Sequence, residues 1–245
     1  MKAIILAAGK GSRLNGVDLK PKCLFEVGGR TLLDWQMSAL RDSKIDEIVM
    51  VLGFEKDRIR QLCSSNTSFV INSHYEETSS LYSLWLAKEH LVNGFVVLNC
   101  DVLFHPQLLS KLLTAPFEDA LLVDFVNKEN NQLGEEEMKV KVSDGRVVDI
   151  NKDMDPSEAD GENVGLVKFS SRGAKLLIEE MDSLISRGMK RDWAPRAFRA
   201  FASRFPLHAI STDDFPWIEI DFPEDYRRAK EEVFPKITAM VDCCL

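Results

Sequence analysis

At 245 residues, 45% hydrophobic and 29% charged, the chain has the composition of a soluble globular domain, large enough to bury a core without disulfides or structural metal. A net charge of −8 with no long run of Lys or Arg excludes the basic field of a nucleic-acid surface, so DNA and RNA are not expected partners. Five scattered cysteines (Cys23, Cys63, Cys100, Cys243, Cys244) lack C-x-x-C spacing, which excludes a disulfide framework and a zinc site.

The opening Lys2-Ala3-Ile4-Ile5-Leu6 reads as a buried strand running into a glycine loop at 9–11, too short an apolar run for a signal peptide. Thr31 starts a helix with a T-x-x-D capping signal to Asp34, and Leu33, Met37 and Leu40 fall on one face. Ile48 to Leu52 is the next strand, stopped by Gly53, with a helix from Glu55 to Leu62 and a third strand at Phe69 to Ile71. Leu81, Leu84, Trp85 and Leu91 mark an amphipathic helix whose first turn carries Thr78, Ser79, Ser80 and Ser83. A fourth strand, Phe95 to Leu98, leads to Asp101, and a helix begins near Pro106. Strands alternating with helices, and apolar throughout, predict a mostly parallel α/β sheet with helices on both faces. Ligands in such sheets bind beyond the carboxyl ends of the strands, where the glycine loop and Asp101 sit.

The second half differs. Glu137 to Val142, Gly145 to Ile150 and Val164 to Phe169 read as strands, the first two joined by the turn Ser143-Asp144-Gly145. Helices are expected near 172–186 and 223–234. With no repeat or low-complexity linker, the chain is read as one domain over 1–245, its first half (1–115) for the nucleotide and its second (116–235) as a hairpin-rich extension for an acceptor. No apolar stretch approaches the ~20 residues of a membrane helix. A cytoplasmic protein with no membrane partner is expected, and the ending Cys243-Cys244-Leu245 is no C-a-a-X box.

Leu6-Ala7-Ala8-Gly9-Lys10-Gly11-Ser12-Arg13-Leu14 is neither a dinucleotide fingerprint, having Leu14 at the third glycine, nor a P-loop. Its small residues let backbone N–H groups approach an anion, and Arg13 follows. Lys20-Pro21-Lys22 adds a second cation on a stiffened backbone, so Arg13 and Lys22 could clamp a triphosphate. Together K-A-I-I-L-A-A-G-K-G-S-R-L and P-K-C-L-F-E-V-G-G-R-T-L-L at 21–33 resemble the signature of the NTP-transferase superfamily, which includes sugar-1-phosphate nucleotidyltransferases and phosphocholine cytidylyltransferases. That resemblance implies a Rossmann-like fold of the nucleotide-diphospho-sugar transferase type. It also implies nucleotide contacts along Leu6, Ala7, Ala8, Gly9, Gly11 and Ser12, with Arg13 and Lys22 as the catalytic cations on the triphosphate.

Asp101 closes an apolar strand, where an acid has no packing role. Asp221 ends the period-2 segment Trp217-Ile218-Glu219-Ile220-Asp221, which puts Trp217, Glu219 and Asp221 on one face. In the resembled family an Asp at each of these two places ligates Mg²⁺; Glu219 is a supporting group. The stretch from Asn72 through Tyr75, Thr78, Ser80 and Ser83 to Trp85 resembles the phosphocholine cytidylyltransferase branch. That favours CTP, with Ser80 and Ser83 near the base. By the same likeness, which spans residues 2 to about 230, Lys152 would contact the acceptor phosphate and Glu162 would stand at the acceptor pocket. A choline headgroup would want an aromatic cage, for which Phe125, Trp193, Phe215 and Trp217 are candidates that no spacing forces together.

The resulting expectation is an Mg²⁺-dependent transfer of a nucleotidyl group, CTP favoured, to a small phosphorylated acceptor such as phosphocholine, releasing pyrophosphate. The alternatives are a sugar-1-phosphate nucleotidyltransferase using CTP, UTP or dTTP, and a non-catalytic nucleotide-binding regulatory protein.

Overall fold

Strand β1, Lys2–Ala7, explains its own composition. Ile4 and Leu6 enter one core while Ala3, Ile5 and Ala7 enter another on the opposite side. A strand covered on both faces has no position for a polar side chain, hence the unbroken apolar run. The computed structural model that displays this describes residues 1–14, 20–126 and 133–242, with backbone alone for Ser12, Val241 and Asp242. Cys243 and Cys244 lie outside the described residues.

After β1 come a small hairpin of β2 (Glu26–Val27) and β3 (Arg30–Thr31), then helix α1 (Leu32–Asp42). Thr31 and Asp34 form the expected capping box, the Thr31 side chain accepting from the Asp34 amide at 3.0 Å. Strand β4 (Ile48–Leu52), helix α2 (Lys56–Arg60), strand β5 (Thr67–Ile71) and helix α3 (Ser80–Leu86) follow. α2 is shorter than the expected 55–62, because Glu55 adopts a left-handed conformation (φ 50°) outside the helix. α3 ends before Leu91, and a 3₁₀ turn, Lys88–His90, carries that buried leucine to the core. Strand β6 (Phe95–Asn99) then reaches the turn at Cys100-Asp101.

Beyond that turn lies strand β7 (Val102–Phe104), which sequence periodicity missed because three residues are too few to show an alternation. Helix α4 (Pro106–Thr114) starts at Pro106 as expected, and strand β8 (Ala120–Phe125) was also unread. The hairpin of β9 (Lys139–Ser143) and β10 (Arg146–Asn151) turns through Asp144 and Gly145, both at positive φ. Strand β11 runs Gly161–Phe169, longer than its apolar end suggested. Helices α5 (Ser171–Ser186) and α6 (Pro195–Ala202) precede strands β12 (His208–Ser211) and β13 (Trp217–Glu219). Helix α7 (Pro223–Arg228) continues through a π-helical segment, Ala229–Val233, into helix α8 (Phe234–Asp242).

Nine strands form the main sheet in the order β5-β4-β1-β6-β11-β8-β12-β10-β9. The first four are mutually parallel, β12 runs parallel to β8, and β11 is antiparallel to both β6 and β8. Helices α3, α5 and α6 pack on one face, while α1 and α4 cover the other. Strand β13 pairs with β7 in a separate two-stranded ribbon, joining Trp217 to Phe104 and Glu219 to Val102. Among the described residues no helix is long and apolar enough to cross a membrane.

Candidate active site

The carboxyl ends of β1 and β6 open into a cleft of about 420 Å³. Leu6, Ala8, Gly9 and Gly11 form one wall, with Arg13 and Lys22 projecting across it. The side chain of Ala7, 2% exposed, faces the core below instead, as the alternation of β1 requires. The Ser12 side chain lies outside the described part of the chain. Gly11 is needed for its conformation (φ +62°) and for clearance, because a Cβ there would come within 2.9 Å of the Lys22 side chain.

The two distant aspartates converge through the β7–β13 ribbon. Glu219 lies opposite Val102, and the Ile220 amide donates to the Asp101 carbonyl at 3.0 Å. The Asp225 carboxylate accepts from the Asp221 and Phe222 amides at 3.1 and 2.9 Å, fixing the backbone at Asp221. One oxygen each of Asp101, Glu219 and Asp221 lie within 4.8 Å of one another. Lys22 donates to Asp101 at 2.9 Å and also to Asp221. Arg13 donates to Asp221 at 2.9 Å and lies 3.1 Å from Glu136.

This charge cluster perturbs its own members. Burial works against the Lys22 ammonium, but Asp101 and Asp221 outweigh it and hold Lys22 firmly protonated. Burial likewise works against the Asp221 carboxylate, yet Lys22, Arg13 and Lys152 together keep it below the ordinary range. Glu219 goes the other way: burial, then the charges of Asp101 and Asp221, push it up to about 8. Lys22 and Arg13 together offset Asp101 and Asp221, and Glu219 is largely protonated at neutral pH. Three oxygen-only donors at this spacing fit a hard divalent ion such as Mg²⁺, whose charge would favour the ionised form of Glu219.

The base-side wall is built by α3 and the segment before it, with Tyr75, Thr78, Ser79, Ser80 and Ser83 lining the cleft. Asn72, 1% exposed, donates to Thr78 and Ser83 at 3.0 Å each. Ser80 accepts from the Ala194 amide at 2.8 Å, which ties α3 to the segment before α6. Opposite, Lys152 and Trp193 form the far wall, the ammonium 4.9 Å from the ring centroid. Lys152 is also 3.4 Å from Glu136.

Glu162 is not itself a lining residue of the cleft, which its neighbour Asn163 faces, but it acts on the charges of Lys152 and Glu219, which do line it. Burial, then Glu137 and Asp124, raise Glu162 to about 8. Of the four aromatic candidates only Trp193 reaches the cleft. Phe215 stacks on His105, Trp217 donates to Asp124, and Phe125 is exposed elsewhere. Asn99, Met138 and Asn163 line the cavity and Glu136 and Asp225 support it. Only Asp225 had a readable signal, three residues after Phe222 at the start of a proline-opened helix.

Comparison with known proteins gives the chain a family and relatives. A family model described as a MobA-like NTP transferase domain matches residues 3–134. CTP:phosphoglutamine cytidylyltransferase of Campylobacter jejuni is 26% identical over 247 residues, covering 92% of this chain and 97% of that protein. Choline-phosphate cytidylyltransferase of Streptococcus pneumoniae is 26% identical over 234 residues, covering 94% and 97%. The solved inositol-1-phosphate CTP transferase of T. maritima superposes with a TM-score of 0.78 at 21% identity, covering 97% of this chain and 94% of that one.

Proposed function

The chain belongs to the MobA-like NTP transferase family and is a nucleotidyltransferase, and from that premise we propose that it transfers the cytidylyl group of CTP to a small phosphorylated acceptor. A phosphate oxygen of the acceptor attacks the α-phosphorus of CTP in line. The bond from that phosphorus to the bridging oxygen breaks, and the β- and γ-phosphates leave as pyrophosphate with the bonding pair. No covalent enzyme intermediate is needed, so the work is positioning and charge neutralisation.

The observation that carries this reading is the convergence of Lys22 and Arg13 with Asp101 and Asp221 at the mouth of the glycine loop. Arg13 offers a planar fork and Lys22 a compact charge to the triphosphate, and both are already aimed at acidic oxygens. Asp101 and Asp221, backed by Glu219, would hold Mg²⁺, which when bound supplies charge neutralisation at the reacting phosphate. Lys152, across the cleft, would receive the acceptor phosphate, with Trp193 beside the rest of that molecule. CTP is favoured because two full-length relatives carry it or a cytidylyl group in their names. The hydroxyl-rich wall at Thr78, Ser80 and Ser83 suits a pyrimidine edge.

A pyrophosphate-release matrix tests the proposal: four nucleoside triphosphates against phosphocholine, phosphoethanolamine, aminoethylphosphonate and several sugar 1-phosphates, with and without Mg²⁺. Release confined to CTP, a phosphorylated acceptor and Mg²⁺ together is expected. Equal release with UTP or dTTP on sugar 1-phosphates would replace the assignment with a sugar nucleotidyltransferase.

A further inference from the structure

Helix α1 turns Leu33 and Leu40 into the core, and helical spacing sets Gln36 on the same stripe. Gln36 is 1% exposed, a long polar amide where leucine or methionine would pack without a polar cost. Its Nε2 donates to the Asn99 carbonyl at 2.8 Å and to the Val102 carbonyl at 2.9 Å. Those two carbonyls bracket Cys100-Asp101, the turn between β6 and β7. Both amide protons are used, and the reverse orientation would point Oε1 at two acceptors. Oε1 itself has no hydrogen-bond partner among the described residues. A buried acceptor left in this way weighs against folding, so the arrangement must be retained for what Nε2 does.

Besides the ladder pairing of Val102 with Glu219, two further backbone bonds reach the turn among the described residues. Cys100 N meets the Leu6 carbonyl at a long 3.4 Å, and the Asp101 carbonyl accepts from Ile220 at 3.0 Å. The two bonds of Gln36 are shorter than either of these.

We propose that Gln36 is a positioning residue for nucleotidyl transfer: by clamping the Asn99 and Val102 carbonyls it fixes where the Asp101 carboxylate stands against Lys22 and Asp221. The inference rests on the reading of Asp101 as a working group of the site. Gln36 touches no substrate; it acts through the turn.

A double-mutant cycle tests this. Gln36→Met keeps the length and packing while removing both donors. Turnover is expected to fall about 10- to 100-fold, the scale of an ångström-level misplacement, with the KM for the triphosphate nearly unchanged. In an Asp101→Asn background the same substitution should produce no further loss. Gln36→Glu, of equal volume and offering at most one proton, enters the same cycle if the methionine variant does not fold. Equal fold-losses in both backgrounds would reduce Gln36 to a structural residue and overturn the proposal, as would wild-type turnover in the single variant. Wild-type turnover in Asp101→Asn alone would remove the reading of Asp101 as well, which separates the two failures.

Discussion

The two sides of the cleft are built on different physics. On the side of β1, β6 and β13, Lys22 and its acids are mostly buried, with 14%, 16% and 22% of the Lys22, Asp101 and Asp221 side chains exposed. On the side of the β9–β10 hairpin, Lys152 is itself only 17% exposed, but its one ionic partner among the described pairs, Glu136, is 56% exposed. Charges buried on both sides of a pair constrain one another strongly, whereas a pair with one solvated partner moves toward the roughly 0–1 kcal/mol of surface pairs. On the proposed assignment, the triphosphate side is organised before any ligand arrives, while the acceptor side keeps its cation available to exchange partners.

Substitutions should break this contrast in order of burial. Lys22→Met removes the cation from three converging acids and is expected to cost about 10²–10³-fold in turnover, together with up to about 3 kcal/mol of stability. The pH dependence shifts as well. In the wild-type chain Asp221 lies below its ordinary 3.8, so its contribution to stability is present above that pH and lost as pH falls through the folded value. Glu219, raised to about 8, already loses stability as pH rises above its ordinary 4.5. Without Lys22 the carboxyls rise further, so the loss at low pH should shrink and the loss at high pH should grow. Thermal unfolding between pH 3 and 8 reads this; an unchanged profile would contradict the assigned pairing.

Lys152→Met should act on the acceptor alone, raising its KM by about 10-fold or more, the cost of one charge-assisted contact, while the triphosphate KM stays within about 2-fold. Equal changes in both would move Lys152 to the triphosphate. The smallest effect is expected from Glu136→Gln. Glu136 bridges Arg13 and Lys152 and so competes with phosphate for both. Its neutralisation should lower both KM values about 2- to 5-fold, as befits exposed pairs. A rise in either would make Glu136 part of the binding surface.

The same division governs how much could be read from residues alone. β1, α1 and β4 announce themselves because local periodicity and a capping box match the tertiary outcome, and the glycine loop with Arg13 and Lys22 falls within one stretch of chain. Asp101 and Asp221 were legible as acids at strand ends. Their meeting depends on β7, three residues long, and on a ribbon that links residues 102–104 to 217–219. β8 and β12 pair with each other across more than eighty residues, and no local pattern encodes such a partner. Glu162 stands one residue from the lining: its neighbour Asn163 on β11 faces the cavity, while Glu162 acts on the charges of Lys152 and Glu219. Gln36 left a signal that could have been used, a polar residue on the stripe that Leu33 and Leu40 define.

The central claim is that two acids far apart in the chain act as one centre with Lys22 and Arg13. The most direct check is steady-state pyrophosphate release by Asp101→Asn and Asp221→Asn, each verified as folded by thermal unfolding. A loss of at least about 10²-fold in both is the expected result. Wild-type turnover in both variants would mean that nucleotidyl transfer takes place somewhere other than this cluster.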